Sequence, residues 1–183
     1  MKLADIPQAI QGGDWECCYS LKGLVKYIEE LIDGETYGKK LNMEPDFQRG
    51  HVWTEEQQIA YIEAILQNRA QNARVVYLND PEWTGQACGE YKDMVCVDGL
   101  QRYTAIKRFV NNEIKAFGLY LNEYEDAVIF NRKPIVKLNV NRLQTREEVL
   151  KWYLEINSGG TPHTEQEIAR VRKLYEDEIA SNR

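Results

Sequence analysis

A dense group of polar residues interrupts the sequence at positions 97–104, which read Val-Asp-Gly-Leu-Gln-Arg-Tyr-Thr. Asp98 and Gly99 directly follow the apolar run 94–97, which predicts a buried strand, and a helical pattern begins at once behind them. A strand-to-helix junction is where α/β proteins place ligand-binding groups. Asp98 could hold a divalent cation, orient a water as general base or cap the helix.

Gly99 and Arg102 add anion-binding chemistry to the same junction. Glycine lets the backbone come close to a ligand, and the first-turn amides of a helix can face an anion. Arg102 lies in that first turn, where a cation costs roughly 0.3–1 kcal/mol against the helix dipole. We therefore expect Arg102 to have an anionic partner, either a bound phosphate or a protein acid such as Asp98.

A second polar group, Gln48 and Arg49, lies in the broken stretch 45–53. The capping-box residues Thr54 and Gln57 open a helix directly behind it. The forked guanidinium of Arg49 suits a phosphate. The alternative is that Arg49 pairs with an acid such as Asp46.

A third group, Asn157-Ser158-Gly159-Gly160-Thr161-Pro162, separates two predicted helices. Two glycines and small polar side chains can surround an anion with backbone amides, although a plain helix–helix turn also explains them. The chain has neither a P-loop nor a Rossmann glycine pattern.

The elements predicted around these groups place each of them at a junction. Helical patterns begin at Ser20, Thr54, Gly99, Thr145 and Thr164, and strand patterns cover 74–78, 94–97 and 135–140, the last with one wet face. Residues 116–134 are ambiguous. This order predicts an α/β fold of the mixed α+β kind, a small mixed sheet flanked by helices with a helical C-terminal part, in a single domain over 1–183.

Composition excludes several classes of protein. The 183 residues include 23 basic and 29 acidic side chains, a formal charge of −6, and no apolar run of membrane-spanning length. A secreted disulfide scaffold, a disordered chain and a strongly basic chromatin-type binder are excluded as well, and a cytoplasmic protein without membrane contact is expected. The four cysteines show no C-x-x-C spacing and only two histidines are present, so we expect reduced thiols and neither zinc nor haem.

Charge is nevertheless uneven. Residues 102–151 carry 10 basic and 6 acidic side chains, a local balance of +4 that could hold a polyanion or could be a solvated surface. The overall negative charge disfavours tight non-specific binding to duplex DNA.

The three polar groups together, in this order and over about residues 20–180, resemble the signatures of the GmrSD-type N-terminal domain, a member of the ParB/sulfiredoxin-like (ParB-like nuclease) superfamily. The resemblance implies a ParB/sulfiredoxin-like core with a nucleotide pocket that binds nucleoside triphosphates and often hydrolyses them, with Mg²⁺ as the candidate metal at Asp98. It implies catalytic roles for Asp98, Gln101 and Arg102. The implied nucleotide-binding residues are Gln48, Arg49, Gly99, Thr104, Asn157, Gly159, Gly160 and Thr161.

Two departures shape the expected function. Leu100 stands where the family pattern has a glutamine, and the chain lacks the clustered His and Asn residues of the HNH nuclease domain that commonly accompanies this domain. We therefore expect a nucleotide-binding sensor or regulator, with metal-dependent NTPase activity as a candidate, in phage defence or mobile-element biology. The alternatives are a ParB-like DNA-binding or nicking protein, and a non-catalytic interaction protein that keeps the fold. The partner is then a nucleotide, a nucleic acid or a protein, and the sequence does not set the oligomeric state.

Overall fold

Five strands form one mixed sheet in the computed structural model of the chain. The structure describes residues 6, 9–10, 12–35, 38–50, 52–69, 73–83, 85, 89, 91–130, 132–133, 135–157 and 165–181. The strands are β1 (Trp15–Tyr19), β2 (Leu41–Asn42), β3 (Val75–Asn79), β4 (Met94–Asp98) and β5 (Val136–Asn141). Their spatial order is β1-β5-β3-β4-β2, antiparallel between β1 and β5 and between β3 and β4, and parallel elsewhere.

Helices cover both faces of this sheet. They are α1 (Leu21–Asp33), α2 (Glu55–Leu66), α3 (Leu100–Val110), the single turn α4 (Ala127–Phe130), α5 (Arg146–Asn157) and α6 (Glu165–Ser181). Helices α1 to α3 share one apolar core with Met94 and Cys96 of β4, whereas α5 and α6 share the other with Val95 and Val97. Alternate residues of a strand point to opposite faces, so β4 contributes to both cores. The predicted α/β class, with a mixed sheet flanked by helices, is confirmed.

Local capping signals fix where the first helices begin. The hydroxyl of Ser20 accepts from the Gly23 amide at 3.1 Å, and Gly34 ends α1 in the left-handed conformation. Thr54 and Gln57 form the predicted capping box before α2. Such reciprocal bonds satisfy amides that a helix start leaves without partners.

The predicted wet face of β5 is wrong at Asn139. Lys137 is exposed as expected, but Asn139 is buried under the segment that precedes β1. Its Nδ2 donates to the Gly12 carbonyl at 3.4 Å, and a Cβ at Gly13 would lie 1.7 Å from its Oδ1. The covering residues lie more than 120 positions away in sequence, so the alternation within β5 could not reveal them.

The ambiguous stretch 116–134 holds little regular structure. Ala116 and Leu119 form an isolated bridge, Leu121–Glu123 is one 3-10 turn, and α4 follows. No helix in the described ranges is both long and apolar enough to cross a membrane. That residues 1–183 form a single domain stays a prediction.

Candidate functional site

The β4–α3 junction is a tight turn that depends on glycine. Gly99 has φ +116°, and a Cβ there would lie 3.0 Å from the Cα of Val76 on β3. A side chain would therefore be strained by the backbone angle and crowded by the neighbouring strand. The Gly99 backbone thus lies close to β3, and its predicted approach to a ligand stays a prediction.

Asp98 and Arg102 form an ion pair across this turn. Arg102 Nη2 contacts Asp98 Oδ2, and both side chains are largely buried, with 16% and 24% of their surfaces exposed. The alternative role of Asp98 as a helix cap is wrong, because Gly99 is the cap residue and no side chain bonds the helix amides there. Arg102 was expected to pair with either a bound phosphate or a protein acid. In the structure its partner is the acid Asp98.

Arg102 keeps its charge in this setting. Burial alone lowers its pKa, but the charge of Asp98 and the hydrogen bond between the two side chains raise it above the ordinary value. A charged guanidinium thus lies in the first turn of α3, beside the helix amides that can face an anion.

Two glutamines hold the loop 45–53 against this junction. Gln48 Nε2 donates to the carbonyls of Cys96 (3.1 Å) and Val97 (3.0 Å) at the end of β4. Gln101 accepts from the amides of Val52 (3.0 Å) and Trp53 (3.1 Å) and donates to the Gly50 carbonyl (3.0 Å). These bonds bring the first and second polar groups of the sequence together.

Arg49 binds an acid on the last helix. Its Nη1 lies 3.2 Å from Glu167 Oε2 on α6, and both side chains are about four-fifths buried. The alternative that Arg49 pairs with an acid is confirmed, but the acid is Glu167 and not Asp46, which contacts Arg146 at 2.7 Å. The partner of Arg49 lies 118 positions away, beyond the reach of local pattern.

A second residue of α6 fastens the same loop. Arg170 donates to the backbone carbonyls of Asp46 (2.7 Å), Phe47 (3.0 Å) and Gln48 (3.2 Å). Glu167 and Arg170 therefore connect α6 to both the side chain and the backbone of the loop that carries Arg49.

Tyr153 on α5 lies close enough to the charged groups of this site for them to change the pKa of its hydroxyl. Burial, together with the charges of Asp98 and Glu167, raises the pKa of its hydroxyl to about 12, and the charge of Arg49 opposes them. The pKa of this one hydroxyl therefore depends on charges from the β4–α3 junction, the loop 45–53 and α6. Asn157, one turn further along α5, donates to the Tyr153 carbonyl at 2.8 Å.

The other residues with predicted roles divide into two sets. The Thr104 hydroxyl donates to the Leu100 carbonyl at 2.9 Å within α3, so the structure gives it a partner in its own helix. Gly159, Gly160 and Thr161 lie outside the described residues. The functional roles assigned to all of these residues stay predictions.

Asp98 is the one predicted metal-binding carboxylate at this site. No group of three or more His, Cys, Asp or Glu residues in the described ranges could hold a metal ion. Mg²⁺ is commonly bound by one or two carboxylates together with substrate phosphates and waters. Asp98 fits that arrangement only with a phosphate beside it, and Arg102 already engages one of its oxygens.

Sequence reasoning missed Glu167, Arg170 and Tyr153. A signal for the first two existed, because Glu167, Arg170, Val171 and Leu174 follow the i, i+3, i+4, i+7 spacing of one helix face. Charged residues on the face that contains the buried Val171 indicate partners across the interface. The sequence pattern identified Tyr153 only as one of the apolar positions of α5.

The comparisons with known proteins identify the family. The profile of "GmrSD restriction endonuclease, N-terminal domain" matches residues 28–172, which contain all three polar groups of the sequence. No curated protein and no solved structure gives a significant match to the chain. The matched span covers most of the chain, and the resemblance seen in the motifs is thereby confirmed. The chain belongs to the GmrSD restriction endonuclease N-terminal domain family.

Proposed function

We propose that this chain binds a nucleoside triphosphate whose phosphates contact Arg49 and Arg102, and that it works as a sensor or regulator in the restriction context that its family indicates. One observation carries the proposal. Arg102 lies in the first turn of α3, and Arg49, 53 positions away in sequence, follows Gln48, whose side chain binds the last carbonyls of the strand that leads into α3; both arginines are largely buried. Planar guanidinium groups and helix amides are both suited to phosphate oxygens.

The carboxylates that pair with the arginines explain how the site is stable without a ligand. Glu167 neutralises Arg49, and Asp98 neutralises Arg102. An unpaired buried charge is costly, so each arginine needs an anion at all times. A phosphate that reaches Arg49 takes the place of the Glu167 carboxylate.

Hydrolysis would draw on Asp98 and Gln101. Mg²⁺, when bound, would neutralise phosphate charge. Asp98 would hold it or orient water, and Arg102 would stabilise negative charge on the phosphate. Gln101 would position the loop 50–53 through the backbone bonds described above. The chemistry requires positioning and charge stabilisation rather than a covalent step.

A non-catalytic binding role is the second candidate, and Leu100 favours it. The Leu100 side chain is 6% exposed, so the position where the family pattern has glutamine offers no polar group to a ligand. Binding depends on the arginines and survives this change. The replacement of glutamine by Leu100 disfavours hydrolysis rather than binding.

Calorimetric titration with ATP, GTP, CTP and UTP, each with and without Mg²⁺, tests the proposal. We expect saturable binding that falls at least tenfold in Arg49→Ala, because a hydrogen bond to a charged group contributes about 1.5–3 kcal/mol. Arg172→Ala, at an exposed position of α6, is the matched control and should bind like the unchanged protein. Equal affinity in both variants would exclude the placement of phosphate at Arg49.

Two further measurements separate the candidates. Phosphate release that Asp98→Asn abolishes supports the NTPase, and binding without release supports the non-catalytic role. DNA affinity that falls steeply with salt and is unchanged by nucleotide would instead favour the ParB-like DNA-binding alternative.

A further inference from the structure

A separate cavity of about 420 Å³ lies between α1 and the segment that follows β3. Its volume is within the usual range for small-molecule sites. The lining residues are Tyr27, Leu31, Lys39, Asp80, Glu82, Trp83, Gly85 and Met94. Met94 begins β4 and Asp98 ends it, so the cavity lies roughly 13 Å from the arginine site along the strand.

Aromatic and apolar side chains form one part of the lining. The Trp83 ring packs against Trp15 with 5.1 Å between centroids, and Tyr27 stacks on Tyr19 at 5.3 Å. Both rings are therefore supported by a second ring. Preorganised aromatic walls of this kind favour a flat, apolar-faced ligand.

Charged side chains form the other part. Lys39 Nζ contacts Asp80 Oδ1 and lies 3.2 Å from Glu82 Oε2. Asp80 is 4% exposed and also accepts from the Glu82 amide at 3.0 Å, which fixes it in place. Glu82 is 35% exposed, so its carboxylate can turn to a ligand while Asp80 keeps Lys39 paired.

We infer that this cavity binds the guanine base of a free nucleoside. A guanine ring presents the carbonyl O6 and N7 as acceptors next to the N1–H and N2 amino donors. Lys39 supplies donors for the first pair, Glu82 supplies a carboxylate for the second, and Trp83 and Tyr27 bound the ring faces. One lysine and two carboxylates give the lining a charge of −1, so the phosphate end of a nucleotide is disfavoured inside it.

The other bases match this lining less well. Adenine has no carbonyl for Lys39, and it offers an amino donor without the adjacent ring N–H. Inosine keeps O6 and N1–H but lacks the exocyclic amine, so it loses one of the two bonds to Glu82. The difference in affinity between guanosine and inosine therefore measures the contact between the exocyclic amine and the Glu82 carboxylate.

Titration with guanosine, inosine and adenosine, followed by calorimetry and tryptophan fluorescence, tests the inference. We expect guanosine to bind at least about tenfold more tightly than the other two, since a bidentate base contact is worth that much discrimination. Glu82→Gln should remove the preference over inosine, Lys39→Met should reduce the preference over adenosine while the preference over inosine remains, and Trp83→Ala should remove binding. Glu125→Gln, which loses an exposed carboxylate elsewhere, is the matched control.

Melting curves of every variant show whether each one folds. Guanosine carries no phosphate, so Arg49→Ala should leave its affinity unchanged, and a failure of this inference is distinct from a failure at the arginine site. Absence of saturable guanosine binding to the unchanged protein would overturn the inference. Equal affinity for guanosine and inosine would do the same, as would guanosine affinity that is unchanged in folded Glu82→Gln.

Discussion

The ion pair between Arg102 and Asp98 makes a stability prediction at the residue scale. Arg102→Ala leaves a largely buried carboxylate without its partner. We expect the free energy of unfolding to fall by about 1–3 kcal/mol, the usual cost of an unsatisfied buried group. Urea denaturation followed by circular dichroism measures it. Asp98→Asn combined with Arg102→Met should recover part of the loss, because it removes both charges.

A surface pair with the same spacing provides the control. Lys26 and Glu30 are also four positions apart on a helix, but their side chains are 81% and 41% exposed. Exposed pairs contribute about 0–1 kcal/mol, so Lys26→Ala should have little effect. If both alanine variants unfold alike, the Arg102 pair has no special structural role.

Gly99 supports a second residue-scale prediction. Gly99→Ala adds a methyl group 3.0 Å from the Val76 Cα at a left-handed φ. The expected destabilisation is about 1–3 kcal/mol. Gly50→Ala is the comparison, since that position is open and has no positive φ. Thermal melts of the two variants should separate by several degrees, and coincident melts would contradict the prediction.

At the scale of elements, α6 restrains the arginine that we assign to phosphate. Glu167→Gln removes the competing carboxylate from Arg49 and should raise nucleotide affinity several-fold. Glu176→Gln makes the same change of charge at an exposed position of α6 and serves as the control. Calorimetry measures both. Equal affinities in the two variants would show that Glu167 does not compete with the ligand.

The helices and strands also show which features of the fold could be predicted from the sequence. The helix starts at Ser20 and Thr54 were predictable, because their capping bonds join residues three positions apart. The strand-turn-helix at 94–104 was predictable from an apolar run that ends in Asp-Gly. The burial of Asn139 and the pair Arg49–Glu167 were not, since each depends on a segment more than 100 positions distant.

For the whole molecule, buried tyrosines predict instability in alkali. Burial raises the pKa of Tyr61, Tyr91 and Tyr153 to about 12, whereas unfolded tyrosine titrates near 10. The raised values mean that the stabilising contribution is complete below about pH 10 and is lost as the pH rises toward 12. Unfolding free energy should fall by about 1 kcal/mol or more per pH unit in that window.

Denaturant titrations at pH 9, 10 and 11 test this slope, with tyrosinate absorbance as the probe of ionisation. Tyr153→Phe should flatten the slope, and Tyr120→Phe, near the protein surface, is the matched variant. Ionisation of every tyrosine near pH 10 without loss of structure would refute the prediction.

The placement of β1 has a consequence for how the protein is made. Trp15 pairs with Val140, so β1 joins the sheet beside β5, which is the last of the five described strands to be synthesised. At about 5–20 residues per second, the ribosome needs roughly 6–25 s to travel between these two positions. During that interval β3 and β4, which share a core with α1, are already synthesised, but β1 still lacks its neighbour β5. Because β5 is the strand that pairs with β1 in the described sheet, we expect this edge of the sheet to form only late in synthesis.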